Sequence, residues 1–478
     1  MLDYDVVIIG GNLAGRYAAL EASRLKARVA LVEPDHKFGE TGNFYAKTFI
    51  ELTQKYFHNN RQNTPIISLS TENKLSQFYY LIQNINRVIF NLEEINSLSG
   101  LAQTGVDVII GKGQFIKNKS EISLLVNERT LRSRAYLLCL PSQPIIPDIP
   151  GLSSTGYLTY PTIHYLFKDK KLPENIIIIG SNPSGIELAQ TCARLGISVT
   201  MIVKKSHILP WEEPQAALLI QAAMEAEGIK ILTNTEVIQT KKIEQKKWVQ
   251  AGDKALECDE IILTSRWGVN LDMIDLAVTG IKIKNNQFIV NDKLQTINPK
   301  IYACQEVIGG YLLPNFAQYE INIALENILF FPIHKTNYLG IPWAFFTEPE
   351  LGRVGLTEAQ ARQKYGENVL IATEYFKHLE ISQIRGDLTG FCQLIGHKNG
   401  KILGAVCVGS QGRELIQTIA LAMNQGRKIN TLAEMPFINS SVTEIIQKTA
   451  NNWQYQRRQD NLTLSNFLEN WFHWLRCW

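Results

Sequence analysis

A strand, a glycine turn and a helix occur twice in this chain, and that repetition constrains the fold more than any other feature. Residues 4–9, "YDVVII", are a continuous apolar run, the pattern of a parallel strand buried on both faces. Gly10 to Gly15, "GGNLAG", make the turn. "RYAALEASRLK" then has helical spacing, with Ala18, Ala19, Ala22 and Leu25 on one face, and "ARVALVEP" is a second strand ending in Glu33. Residues 175–205, "NIIIIGSNPSGIELAQTCARLGISVTMIVKK", repeat the pattern around Gly180 to Gly185. Such a β-α-β unit aims a helix N-terminus at whatever lies over the turn, and the natural ligand there is a nucleotide phosphate.

In the full fingerprint, G-x-G-x-x-G, the first glycine makes the tight turn and the third lets the helix pack on the strand. The middle one lets backbone approach the pyrophosphate. Gly10 and Gly15, and Gly180 and Gly185, hold the outer positions here, while Asn12 and Asn182 hold the middle ones. Asparagine tolerates unusual backbone angles, but its side chain takes up space. Glu33 is placed to accept from a ribose hydroxyl. The second unit has no such acid, and Lys204 and Lys205 stand just beyond its strand. Two lysines there favour a 2′-phosphate, hence NADPH over NADH. The plain alternatives are an α/β core turn without ligand for the first loop and a solvated charge pair for the lysines.

The chain has 478 residues, enough for about three domains. A net charge of +3 implies no field for nucleic acid, and no apolar run reaches membrane-spanning length. The opening strand leaves no room for a signal peptide, so a cytoplasmic protein is expected. Seven scattered cysteines form no C-x-x-C and cluster with no histidine, which predicts buried structural thiols and no metal site. "PSQPIIPDIPG" (141–151) is a proline-rich crossing between the two units, residues 50–100 read as helical, and from about 340 strands and then helices alternate.

These motifs, in this order, resemble the pyridine nucleotide-disulfide oxidoreductases. "FFTEPELGRVGLTEAQA" (345–361) looks like the opening of that family's dimerisation domain, and "KILGAVCVGSQGRELIQTIALAM" continues the match. The resemblance implies an α/β fold with two Rossmann-like nucleotide-binding domains, for FAD and NAD(P), and a C-terminal α/β dimerisation domain. The expected boundaries are 1–150 and 276–338 for the two parts of the FAD domain, 151–275 for the NAD(P) domain, 339–456 for the dimerisation domain and 457–478 for an aromatic tail. It also implies a homodimer in which hydride passes from nicotinamide to flavin. In most members it goes on to a disulfide, with a histidine of the partner subunit handling protons.

The sequence departs from that pattern where the chemistry lies. The family's G-G-T-C-x-x-x-x-C-I-P-S-K is here a shorter run, Gly39 to Lys47, with neither cysteine. The H-P-T-x-S-E motif becomes "NSSVTE", with Asn439 at the histidine position and Glu444 kept. Asparagine takes up no proton near neutral pH, so thiol exchange, which needs a thiolate and a base, is not expected. Five family glycines are replaced, by Asn12, Pro141, Asn182, Arg266 and Gln305. Glycine serves where backbone nears a ligand or takes positive φ, so the changes suggest looser, moved or absent cofactors. Glu306 stands for the family's flavin-binding Asp, one methylene longer. Against that loss, Lys47 and Glu187 match the lysine–glutamate pair that the family places beside the flavin; a purely structural interdomain ion pair is the alternative.

Two readings stand open. One is an FAD-dependent NAD(P)H oxidoreductase with a diffusible small-molecule acceptor such as a quinone, a dye-like compound, oxygen or another pyridine nucleotide. Phe44 and Tyr45 would line the acceptor side, with Asn439 and Glu444 nearby. The other is an inactive relative kept as a binding scaffold or nucleotide sensor. In the tail, Phe467, Leu468, Trp471, Leu475 and Trp478 share one helical stripe, widened by Phe472 and Trp474 and flanked by Arg457, Arg458 and Arg476. That pattern fits an interfacial membrane helix, with peripheral attachment, or a partner-binding or dimer-packing helix.

Overall fold

The computed structural model describes residues 2–34, 41–61, 71–118, 121–167, 172–270, 273–310, 313–459 and 462–478. The chain forms two compact units, Met1–Ile202 with Thr235–Thr336, and Val203–Asn234 with Asn337–Trp478.

The first unit carries both β-α-β repeats. Strand Tyr4–Ile9 lies between Val29–Glu33 and Ser133–Leu138, parallel to both, with Val6 opposite Val29 on one side and Ala135 on the other. Asp107–Ile110 and Ile301–Ala303 complete a five-stranded parallel sheet. The unbroken apolar runs follow from its two covered faces. Val6 and Ile8 pack among Ala14, Ala18 and Ala22 of helix Leu13–Arg24, while Val7 and Ile9 pack among Leu124 and Val126. Alanines along the helix let it lie close to the strand.

The second repeat places Asn175–Ile179 parallel to Ser198–Ile202 on one side and Glu260–Leu263 on the other, with Leu158–Thr159 beyond. Helices Thr41–Arg61, Thr71–Ile95 and Leu98–Gln103 fill the stretch that reads as helical. The α/β architecture with two Rossmann-like sheets is as the sequence implies.

The second unit is built on an antiparallel sheet in the order Trp343–Phe345, Glu350–Gly355, Ile402–Gly409, Phe391–His397, Val369–Tyr375. Helices Gly412–Asn424 and Glu444–Gln459 supply Ile416, Ile445 and Trp453 to its core. The conspicuous "LTEAQA" run starts helix Glu358–Tyr365 with a capping box, Thr357 and Gln360 each bonding the other's backbone. Arg353 and Glu212 form a buried pair at 3.1 Å that ties the 203–234 segment to this sheet. Helix Leu462–Arg476 follows, with Phe467, Trp471, Phe472, Trp474 and Leu475 exposed, as is Trp478 after it.

Candidate functional site

The two glycine turns are built alike. Gly10 and Gly180 both take φ of +116°, and a Cβ on Gly10 would stand 2.1 Å from the carbonyl oxygen of Cys139. Only glycine fits at that corner. Asn12 and Asn182, however, have ordinary extended backbones, with φ of −65° and −72°. Each is the N-cap of its helix. Asn12 Oδ1 accepts from the Gly15 N–H at 2.9 Å, and Asn182 Oδ1 accepts from the Gly185 N–H at 2.9 Å. The asparagines thus serve as helix caps, a role that their place in the fingerprint does not announce.

Glu33 is buried at the end of its strand and leans onto the first turn: a Cβ on Gly11 would meet its Oε2 at 1.5 Å. Arg16 Nε donates to the Gly11 carbonyl at 2.6 Å and Nη1 donates to the Asn96 carbonyl, which locks the turn from the other side. In the second turn Thr264 takes the position of contact, its Oγ1 2.6 Å from where a Cβ on Gly180 or Gly185 would lie. Lys204 and Lys205 are exposed after strand Ser198–Ile202.

Among the five replaced glycines only Gln305 takes a positive φ, +70°. Its N–H donates to the buried carboxylate of Glu320. The side chain of Glu306, in the turn Gln305–Ile308, lies outside the described residues. The other four replacements, Asn12, Pro141, Asn182 and Arg266, therefore carry no positive-φ penalty.

Of the buried side-chain atoms that find no hydrogen-bond partner among the described residues, two lie beside the turns: Gln305 Oε1 next to the flavin-type acid position and Ser265 Oγ next to the second turn. Buried polar groups are normally bonded, so atoms left over here are what a nucleotide would complete. With the two glycine cradles kept, the residues present fit FAD at the first turn and a nicotinamide nucleotide at the second.

Lys47 and Glu187 lie on helices Thr41–Arg61 and Pro183–Arg194, Lys47 exposed and Glu187 buried. The helices meet where the Arg194 guanidinium covers the Phe57 ring at 4.7 Å. Phe44 is half-buried. Tyr45 turns inward onto the 3-10 segment Tyr160–Phe167, its ring 5.8 Å from His164 and 6.5 Å from Phe167, and burial pushes its phenol up to about 12. Burial and the neighbouring Glu187 charge hold the Tyr160 phenol far above its ordinary value. His164 Nδ1 is buried with no hydrogen-bond partner among the described residues. Neither Tyr160 nor His164 carries any motif that singles it out in the sequence; only the tertiary contact brings them here.

Asn439 is exposed in the turn before helix Glu444–Gln459, and Glu444 pairs with Lys448 at 3.2 Å. Six cysteines are buried and Cys477 is exposed. Two pairs approach closely although nothing in their spacing announces it: Cys139 with Cys304 at 3.4 Å, and Cys392 with Cys407, opposed on neighbouring strands, at 3.2 Å. The hydrogen bond with Cys139, then burial, keeps the thiol of Cys304 well above its usual range, and the bond that Cys407 donates to Cys392, then burial, does the same for Cys407. Among the described residues no three metal-ligating side chains are grouped.

Residues 4–321 match the pyridine nucleotide-disulphide oxidoreductase family, and residues 341–450 match the dimerisation domain of that family. The chain belongs to the pyridine nucleotide-disulphide oxidoreductases. This is a family of FAD-dependent NAD(P)H oxidoreductases, mostly disulfide reductases, and the dimerisation-domain match supports a homodimer. Among curated relatives, a mercuric reductase of Staphylococcus aureus is 26% identical over 444 residues, covering 90% of this chain and 79% of the relative. The dihydrolipoyl dehydrogenase of Bacillus subtilis (strain 168) is 26% identical over 475 residues, covering 94% and 96%. The solved copper(II) complex of the HOCl-induced flavoprotein disulfide reductase RclA from Escherichia coli superposes with a TM-score of 0.80 at 25% identity, over 94% of this chain and 99% of that one. Among the described residues no helix is long and apolar enough to cross a membrane.

Proposed function

We propose that this protein is an FAD-dependent NAD(P)H oxidoreductase that passes hydride through flavin to a non-disulfide acceptor: a quinone, a diaphorase-type acceptor or another pyridine nucleotide. With a quinone the balance is NAD(P)H, a proton and quinone giving NAD(P)+ and quinol. The observation that carries the reading is a contrast. Both nucleotide turns keep their glycine corners and capped helices, whereas Gly39 to Lys47 contain no cysteine. The Cys139–Cys304 pair is buried, and the Cys304 thiol is held well above its usual range, so the pair is no substitute for a reactive dithiol.

The bound flavin would supply hydride transfer; the chain supplies position. Gly10, Asn12, Gly15 and Glu33 would hold the FAD nucleotide, with Glu306 at its ribityl end. Gly180, Asn182, Gly185, Lys204 and Lys205 would hold the nicotinamide nucleotide, with NADPH favoured. Lys47 and Glu187 would set the flavin edge and Phe44 and Tyr45 would line the acceptor side, a role that the family resemblance also gives to Asn439 and Glu444. The discriminating assay follows NADPH oxidation with a soluble naphthoquinone, with NAD+ analogues and with lipoamide or oxidised glutathione. Turnover with either disulfide at a rate comparable to the quinone would overturn the proposal.

The exposed rings of the C-terminal helix form a ladder, Phe467 to Trp471, Trp474 and Trp478, with centroids 5.3–6.3 Å apart. We propose that this face, beside Arg476, meets a membrane surface, which would bring the flavin close to a quinone pool. Sedimentation with vesicles of anionic phospholipid, lost on truncation after residue 459, is the expected outcome. Retention of binding by the truncated chain would remove the tail from the account.

A further inference from the structure

We infer that Tyr45, Tyr160 and His164 form a binding site for the electron acceptor, and that the acceptor is a flat, uncharged carbonyl compound of the quinone class held by His164 Nδ1. This rests on the flavoenzyme reading above and gives it a substrate class. Three elements of the first unit converge at the site. Helix Thr41–Arg61 brings Tyr45, the 3-10 segment brings Tyr160 and His164, and helix Pro183–Arg194 brings Glu187, close enough for its charge to act on Tyr160.

His164 is the decisive group. Its ring is flanked by Tyr45 at 5.8 Å and Tyr165 at 4.1 Å, and its buried Nδ1 has no hydrogen-bond partner among the described residues. An unsatisfied buried polar atom is costly, so a ligand atom that completes it binds with an advantage. In the tautomer with hydrogen on Nδ1, the missing partner is an acceptor such as a carbonyl oxygen. The surroundings select further. Both tyrosines stay protonated, so they add aromatic area without charge. Such walls suit a flat neutral ring and disfavour a thiolate or a charged disulfide peptide. A carbonyl oxygen gains negative charge as a quinone is reduced, and a hydrogen bond to it then strengthens. The site thus lies on the helix that carries Lys47, and it uses a residue outside the family's cysteine and histidine motifs.

The test uses the FAD-loaded full chain with His164→Phe and His164→Gln. The probes are menadione as substrate and a redox-inactive naphthalene-dione analogue as dead-end ligand, its binding read by calorimetry. His164→Phe should weaken the analogue about tenfold, the equivalent of one hydrogen bond, and lower menadione kcat/KM in parallel. His164→Gln, whose amide still donates, should restore most of the binding. FAD content and melting temperature report folding of each variant. Analogue binding unchanged in His164→Phe, or no recovery in a folded His164→Gln, would overturn the assignment. Failure of NAD(P)H to bleach the wild-type flavin would instead defeat the flavoenzyme reading, and calorimetry would still decide the site.

Discussion

Asn12 offers the sharpest way to separate a nucleotide site from an inert core turn. Its side chain caps helix Leu13–Arg24 through the 2.9 Å bond from Gly15 N–H. Replacing a cap by alanine costs about 1 kcal/mol and by glycine only a few tenths, whereas aspartate caps as well as asparagine. Folding stability should therefore run Asp and Asn, then Gly, then Ala. FAD affinity should run differently if the turn faces a pyrophosphate. Asn12→Gly restores the close approach of backbone and should bind FAD as tightly as wild type or tighter. Asn12→Asp adds a full negative charge at the phosphate position. Two unit charges about 5 Å apart repel by about 3 kcal/mol at an effective dielectric of about 20, and screening leaves roughly a ten- to hundredfold loss. Urea unfolding of the apoprotein gives the first order, and FAD titration followed by flavin fluorescence gives the second. If FAD affinity simply follows stability, with Asn12→Asp unimpaired, the turn does not hold the pyrophosphate.

Other outcomes follow from particular contacts. Burial pushes the Glu212 carboxyl from 4.5 up to about 7 although Arg353 pulls it down, and burial raises Glu213 as well. A folded-state value above the unfolded one means that the native chain holds a proton the unfolded chain has released. Stability should thus fall as pH rises from about 4.5 to 7, by up to about 3 kcal/mol for Glu212, and Glu212→Gln should flatten that slope in urea melts. Lys47→Met and Glu187→Gln should each slow flavin bleaching by NADPH at least about tenfold in stopped-flow absorbance while leaving FAD bound; equal rates would reduce the pair to a structural role. Gln305→Gly removes a non-glycine residue from φ +70° and should stabilise the apoprotein by about 1 kcal/mol. If Gln305 Oε1 contacts the cofactor, the same change weakens FAD binding, and tighter FAD binding would exclude that contact.

The fold was readable because its two parallel sheets are covered on both faces, which writes "VVII" and "IIII" into the chain without interruption. The dimerisation unit was readable because a capping box and a paired-strand run occur together in "GRVGLTEAQA". The site was only partly readable. A fingerprint describes position 12 by what a ligand needs, so the capping role of asparagine stayed hidden until the helix start was known. Arg353 and Glu212 stand 141 positions apart in otherwise unremarkable strings, and no local pattern reports such a pair. The same holds for Cys139 with Cys304 and for Tyr45 with His164, where chemistry depends on what tertiary packing brings together. The sequence suggests an acceptor-side place for Tyr45 but not its neighbours, which the structure shows to be His164 and Phe167.

The most direct test of the central claim is an anaerobic absorption spectrum of the purified full chain, from about 300 to 600 nm, before and after NADPH and then NADH. The account predicts flavin bands that bleach on addition of nicotinamide, faster with NADPH, and that return when a quinone is added. Absence of flavin even after incubation with excess FAD, or a bound flavin that neither nucleotide bleaches, would contradict it.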